Sequence, residues 1–362
     1  MIAVYGQQAG AVPRRRRRIV KTAVHNATAV PLKNHALSTT IVFMQGTVLD
    51  GTNNLFTISC SDNIVRLCSI KGKVLKNSAR YYNALAPGDI VEVAQDVLDS
   101  HKGQITSLVP RKNEFVRWNV KKRCPQLLAA NLDVIILVTT PDEPPFRPRF
   151  IDRALMQAEA QNITPVIVCN KCDLPSHRDI DFQSRMKIWE DLGYTTLHVS
   201  AKTGEGLRTF AHLLENHTSA FVGQSGVGKS SLVNALTGSE TLRTGALSQK
   251  YERGAHTTTK GTLNKILIAD SVSGKQSVRA AIIDTPGIRR FVLHDIAAED
   301  AALYFREFAP IVGTCTFGMS CTHTNESGCR ILEAVHAGII TEERYESWQR
   351  IKNEIATQSW ED

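Results

Sequence analysis

Apolar and polar positions alternate along residues 39–110, then give way from Leu132 onward to solid apolar runs separated by helical stretches. Period-two patterning in the first region predicts five short strands: Thr39–Leu49, Leu55–Cys60, Ile64–Cys68, Asp89–Ala94 and Gly103–Val109. Asp50-Gly51 reads as the hairpin turn between the first two, and Pro87-Gly88-Asp89 as another turn. Five strands in about 70 residues suit a small barrel of the OB type, a fold that often binds RNA on one sheet face and its loops, although other small barrels give a similar pattern. In the second region Asp133–Thr139, Pro165–Cys169, Thr195–Val199, Ser219–Val222 and Val278–Ile283 are predicted strands. Phe150–Gln161, Asp179–Leu192, Gly206–Asn216 and Ser231–Thr237 between them are predicted helices. Such alternation predicts a parallel sheet covered by helices on both faces. Two further helices are predicted at Cys329–Gly338 and Glu342–Ile355.

The 362 residues therefore divide into a basic arm at 1–38, the OB-type barrel at 39–110 and a basic linker at 111–130. An α/β nucleotide domain at 131–309 and a small helical module at 310–362 follow. No apolar run approaches the ~20 residues of a membrane-spanning helix, so a soluble chain with no membrane partner is expected; a monomer is expected as well. Charge changes the picture more than composition does. Residues 1–130 hold 19 Lys/Arg against 7 Asp/Glu, which is net +12 of a total of +8, so the remainder is net −4. A basic first third fits a nucleic-acid partner, because clustered cations release counterions from a phosphate backbone; a merely solvated surface fits the charge equally well. Lys71, Lys73 and Lys76 add charge to a barrel loop, and Arg111, Lys112, Arg117, Lys121, Lys122 and Arg123 surround Trp118 in the linker. Arg14 to Arg18 with Lys21 form a dense run, and no acidic residue precedes Asp50. An RNA-contacting arm, an inert extension and a targeting segment are the three readings of that run.

Five short motifs carry the chemistry. Gly223-Gln224-Ser225-Gly226-Val227-Gly228-Lys229-Ser230, followed by Ser231, is a P-loop between a predicted strand and a predicted helix. Its glycines let backbone N–H groups face phosphates, Lys229 neutralises the β- and γ-phosphates, and Ser230 offers a hydroxyl to Mg²⁺. Asn170-Lys171-Cys172-Asp173 selects the purine: Asp173 can accept hydrogen bonds from guanine N1–H and the 2-amino group, a donor pair adenine lacks. Asn170 is expected to tie this loop to neighbouring backbone, with Lys171 along the base. Ser200-Ala201-Lys202 adds a backbone N–H for the guanine carbonyl. Asp284-Thr285-Pro286-Gly287 ends an apolar strand, where Asp284 would hold a Mg²⁺-bound water and the Gly287 N–H would sense the γ-phosphate. Thr258, with Thr257 and Thr259 as alternatives, is the second candidate Mg²⁺ ligand, in a switch loop over Tyr251–Lys260. Ile288 stands where many GTPases place a water-orienting glutamine, so intrinsic hydrolysis of GTP to GDP is expected to be slow. His256 is read either as a group that completes the site or as a structural switch residue.

The order of these motifs is unusual. The base-reading pair precedes the P-loop, so the domain is expected to be a circularly permuted P-loop GTPase. Downstream, Cys315, Cys321, His323 and Cys329 offer three thiolates and an imidazole, the donor set of a closed structural Zn²⁺ site. Cys60, Cys68, Cys124, Cys169 and Cys172 are read as small buried apolar residues in a reducing compartment.

Taken together, the basic barrel, the motif order, the His256-Thr-Thr-Thr259 switch and the cysteine cluster resemble the RsgA family of ribosome small-subunit-dependent GTPases, over about residues 40–340. The resemblance implies a cytoplasmic factor in late maturation of the small ribosomal subunit that binds 16S-type rRNA and is stimulated by the subunit. Because Asp173 carries the guanine preference, Asp173→Asn is expected to shift binding from guanine toward xanthine nucleotide, read by competition of the two nucleotides for one site.

Overall fold

The structure is a computed structural model and describes residues 42–52, 54–72, 75, 81–238, 261–269, 276–288 and 291–360. The Arg14–Arg18 run, Lys73, Lys76 and the Tyr251–Lys260 loop, with His256 and Thr258, lie outside the described residues.

Strands β1 (Phe43–Thr52), β2 (Leu55–Cys60), β3 (Val65–Ile70), β4 (Ile90–Gln95) and β5 (Lys102–Leu108) close into a barrel of order β1-β2-β3-β5-β4. Only β3 and β5 pair in parallel. Alternate residues such as Val48, Ile58, Val91 and Ile105 fill the interior, as period-two patterning requires. The Asp50-Gly51 turn is corrected. A bulge between Val48 and Asp50 carries both residues into β1, and the reversal falls between Thr52 and Leu55. Asp50 instead accepts a 2.9 Å hydrogen bond from Thr57 Oγ1 across the pair. Gly51 lies under the Phe56 ring, where a Cβ would come within 2.2 Å of a ring carbon.

Residues 111–130, expected as a linker, contain an antiparallel hairpin of β6 (Glu114–Asn119) and β7 (Cys124–Ala130). Part of its charge is committed internally: Arg111 binds Asp89 at 2.6 Å and Glu114 at 3.1 Å, and Lys112 binds Asp133 at 2.8 Å. Lys121, Lys122 and Arg123 remain exposed at the hairpin tip.

The third unit runs β8 (Val134–Thr139), α1 (Pro148–Ala160), β9 (Thr164–Cys169), α2 (Ile180–Asp191), β10 (Thr195–His198), α3 (Leu207–Leu213), β11 (Thr218–Gly223), α4 (Lys229–Gly238), β12 (Thr262–Ala269) and β13 (Gln276–Asp284). The sheet order is β10-β9-β8-β11-β13-β12. Every pairing is parallel except that of β12, an edge strand absent from the sequence reading, which runs antiparallel to β13. Successive side chains of each strand enter opposite cores. Ile135, Leu137 and Ile167 pack with α1 on one face, while Ile136, Val138 and Val168 pack with α3 and α4 on the other.

The C-terminal module contains α5 (Arg330–His336) and α6 (Glu342–Thr357), the latter capped by Thr341, whose side chain accepts from the Arg344 N–H. Its apolar residues Ile331, Trp348 and Ile351 join the α1-side core. Asp152 of α1 is buried between the module and α2, accepting from Arg344, from Ser347 Oγ at 2.5 Å and from Trp189 Nε1 at 2.9 Å. Arg344 also binds Glu307 at 2.6 Å, and Arg153 pairs with Glu354. A module too small to fold on its own core thus borrows one. Among the described residues no helix is long and apolar enough to cross a membrane.

Arg344→Met would leave Asp152 and Glu307 as uncompensated buried charges and is expected to lower unfolding stability by about 3–5 kcal/mol. Arg185→Met, which removes only the half-exposed ion pair to Glu343, should cost less than about 1 kcal/mol. Urea unfolding of the two variants measures the contrast.

Candidate functional site

The five parallel strands of the sheet end on one edge, and the motifs sit where they end. Between β11 and α4 the P-loop turns through Gly226 and Gly228, at φ 90° and 88°. Gly228 is required twice over, because a Cβ there would also fall 2.4 Å from Asn170 Nδ2. Lys229, only 6% exposed, curls back to donate to the carbonyls of Gly223 at 2.8 Å and Gln224 at 3.0 Å. Burial pulls its pKa down to about 8, with Asp284 opposing the shift. Ser230 Oγ donates to Asp284 Oδ2 at 2.8 Å, so the hydroxyl and carboxylate expected beside Mg²⁺ are already neighbours.

Asp284 is fully buried at the end of β13, and Thr285 Oγ1 anchors the following loop by donating to the Phe221 carbonyl at 2.5 Å. Gly287 passes so close to the P-loop that a Cβ would lie 2.9 Å from Ser225 Cα. The Ile288 N–H donates to the Gly223 carbonyl at 3.1 Å while its side chain, 1% exposed, enters the main core.

The Asn170–Asp173 and Ser200–Lys202 loops meet the P-loop through one side chain. Asn170, 2% exposed, donates from Nδ2 to the Val227 carbonyl at 2.9 Å and accepts from the Ala201 N–H at 3.1 Å. Asn170-Asp173 continues from β9, and Ser200-Lys202 follows β10 by way of Val199. Ser200 Oγ donates to Asp173 Oδ1 at 2.6 Å and accepts from the Lys202 and Thr203 N–H groups. That hydroxyl is the main cause holding the Asp173 carboxyl below its usual range. Lys171, at φ 62°, donates to the Glu143 carbonyl, and Lys202 is 86% exposed on the rim. Cys172 donates its N–H to the Val199 carbonyl at 3.1 Å. The structure thus brings together the Asn170, Ser200, Gly223 and Asp284 motifs. Ser231 follows in the first turn of α4. Glu143 and Thr285 belong to the same assembly and were missed; Thr285 had a signal, since it lies within the Asp284-Gly287 motif, and Glu143 had none.

Cys315, Cys321, His323 and Cys329 are all buried, with their ligand atoms within 4.8 Å of one another. His323 Nδ1 lies 3.6 Å from Cys315 Sγ and 3.5 Å from Cys329 Sγ, and the two sulfurs are 3.9 Å apart. Ordinary zinc bond lengths in a tetrahedron give edges of about 3.6 Å for S to N and about 3.8 Å for S to S. The cluster therefore has the dimensions as well as the donors for zinc. Outside it, the Arg330 N–H donates to Cys315 Sγ at 3.3 Å and Tyr345 Oη to the His323 carbonyl at 2.7 Å.

The Lys229 environment has a sign that can be checked. Its folded pKa lies below the free-lysine value of 10.5, so between about pH 8 and 10 the unfolded chain binds more protons and stability contributed by this residue rises with pH. In ligand-free protein the thermal midpoint of wild type is expected to climb across that window relative to Lys229→Met. Parallel pH profiles would contradict the burial.

A family model described as RsgA GTPase matches residues 108–294. The small ribosomal subunit biogenesis GTPase RsgA of Porphyromonas gingivalis is 37% identical over 311 residues, spanning 85% of this chain and 96% of that protein. The protein of the same name from Borreliella burgdorferi is 35% identical over 314 residues, spanning 86% and 97%. The crystal structure of YjeQ from Thermotoga maritima superposes with a TM-score of 0.65 at 29% identity, covering 87% of this chain and 99% of that one. YloQ, described as a circularly permuted GTPase, shares the fold with a TM-score of 0.60 at 24% identity, covering 91% and 99%. With its motif order, its assembled nucleotide site and these likenesses, the chain belongs to the RsgA family of circularly permuted GTPases.

Proposed function

We propose that this GTPase hydrolyses GTP with Mg²⁺ during maturation of the small ribosomal subunit, binding that subunit's rRNA and leaving it after hydrolysis. The observation that carries the reading is the convergence on one sheet edge of Asp173 after β9, Lys229 in the P-loop that follows β11, and Asp284 at the end of β13. Asp173 and the Ala201 N–H read guanine, and Asn170 holds their loops in register with the P-loop. Lys229 exchanges its two carbonyl partners for the β- and γ-phosphates. Ser230 and Thr258 would hold Mg²⁺ directly and Asp284 through water, and the ion would supply positive charge beside the phosphates. The Gly287 N–H reports the γ-phosphate to the loop that leads into the core at Ile288.

Support for an RNA partner comes from the basic first third and the exposed Lys121-Lys122-Arg123 tip of the β6–β7 hairpin, where Lys122 also lies over the Tyr82 ring. The named relatives supply the small subunit as the partner. Cys315, Cys321, His323 and Cys329 hold structural Zn²⁺, which fixes the loops of the C-terminal module.

The burial of Ile288 favours slow unassisted turnover, so the partner is expected to complete the site. GTP hydrolysis by the full chain should rise by more than about tenfold on adding purified small subunits, with large subunits inert. No stimulation by either would make the protein a nucleotide-gated RNA-binding module, and stimulation by large subunits alone would move its site of action.

A further inference from the structure

A second group of soft ligands lies behind the base-reading loops. Cys169, His177 and His198 bring one sulfur and two ring nitrogens within 4.8 Å of one another. Cys169 is the last residue of β9, immediately before Asn170, and His198 the last of β10, two residues before Ser200. His177 stands in the one-turn 3-10 helix Pro175–Arg178 that follows Asp173. The three residues therefore come from both sides of the first loop and from the strand that leads into the second. The thiol is fully buried and both imidazoles are half-buried. His177 Nε2 and His198 Nδ1 face each other at 2.7 Å with the rings nearly perpendicular, at 76°.

We propose that Cys169, His177 and His198 form a binding site for one divalent transition ion of the zinc type. One thiolate and two imidazoles are a borderline-soft donor set, which takes zinc in preference to oxygen-seeking Mg²⁺ or Ca²⁺. Three protein ligands leave the fourth position to water. Binding exchanges protons without any redox step. The Cys169 thiol releases its proton to solvent as the sulfur–metal bond forms. The ring that donates the present hydrogen bond moves its proton to its other nitrogen, so both facing nitrogens offer lone pairs. The two nitrogens must part from 2.7 Å to about 3.3 Å, the edge of a tetrahedron with zinc–nitrogen bonds. The displacement falls on the short 3-10 turn, which carries His177 and no fully buried residue. Burial lowers the pKa of both rings, which keeps them neutral as metal ligands must be; Glu205 opposes that shift at His177 and Glu190 at His198, while Arg178 adds to it at His177.

The site is distinct from the Cys315 cluster, so metal stoichiometry separates them. Metal-stripped, reduced full-length protein is titrated with Co²⁺, whose thiolate charge-transfer bands report sulfur ligation. Wild type is expected to bind one equivalent more than His177→Ala and Cys169→Ala, with thiolate charge transfer accompanying that equivalent. His177→Ala, on a short turn without a buried residue, keeps the test intact should Cys169→Ala misfold. The same number of equivalents in wild type and His177→Ala would overturn the proposal, whatever the Cys315 cluster holds.

Discussion

The assembled site depends on the amide of Asn170. It is buried just after β9, with its donor on the Val227 carbonyl of the P-loop and its acceptor on the Ala201 N–H, so one side chain fixes the distance between the Asn170 and Ser200 loops and the P-loop. Either partner left unmet in that position would carry the full desolvation penalty of a buried polar group, about 1–3 kcal/mol. Gly228 is the complement of the same constraint, since any side chain there would occupy the space of Asn170 Nδ2. Ser200 extends the bridge by orienting Asp173. Because β9, β10, β11 and β13 all end on one edge, these residues meet whatever their order along the chain. That is why permutation leaves the site intact.

What permutation alters is the connection of the site to its flanks. The loop after Gly287 passes through buried Ile288 to Val292, whose carbonyl accepts from the Trp118 N–H of β6 at 3.0 Å, while Trp118 stacks near His294. The segment that follows the phosphate-facing motif is thus hydrogen-bonded to the hairpin whose basic tip is exposed. On the other side, Asp152 and Arg153 of α1 lock the C-terminal module to the sheet through Arg344 and Glu354. Packing and ion pairs, together with the cysteine cluster, hold that module.

Much of the fold and most of the site could be read from the residues, and the exceptions have physical reasons. Strands β8, β9 and β11 were legible because both faces are buried and the apolar runs are unbroken. The hairpin at 114–130 was hidden because Arg117, Lys121, Lys122 and Arg123 interrupt its alternation, and strand β12 because its two described buried residues, Leu263 and Ile266, are three apart. Asp50-Gly51 has the composition of a turn, yet its glycine accommodates the Phe56 ring and a bulge places it within a strand. The P-loop, base-reading and cysteine motifs are local in sequence and therefore visible. Glu143 joins the site through a backbone carbonyl, which no residue type announces. Cys169 reads as a core residue in sequence and is one, but only the folded chain sets it beside His177 and His198.

The central claim is that Asn170 couples guanine recognition to phosphate binding, and calorimetric titration of GDP into wild type and Asn170→Ala tests it most directly. The account predicts at least a tenfold loss of affinity in the variant, since loops no longer held in register must be ordered by the ligand at roughly 1–2 kcal/mol per residue fixed and 1.4 kcal/mol is a factor of about ten. A folded Asn170→Ala protein that binds GDP as tightly as wild type would contradict it.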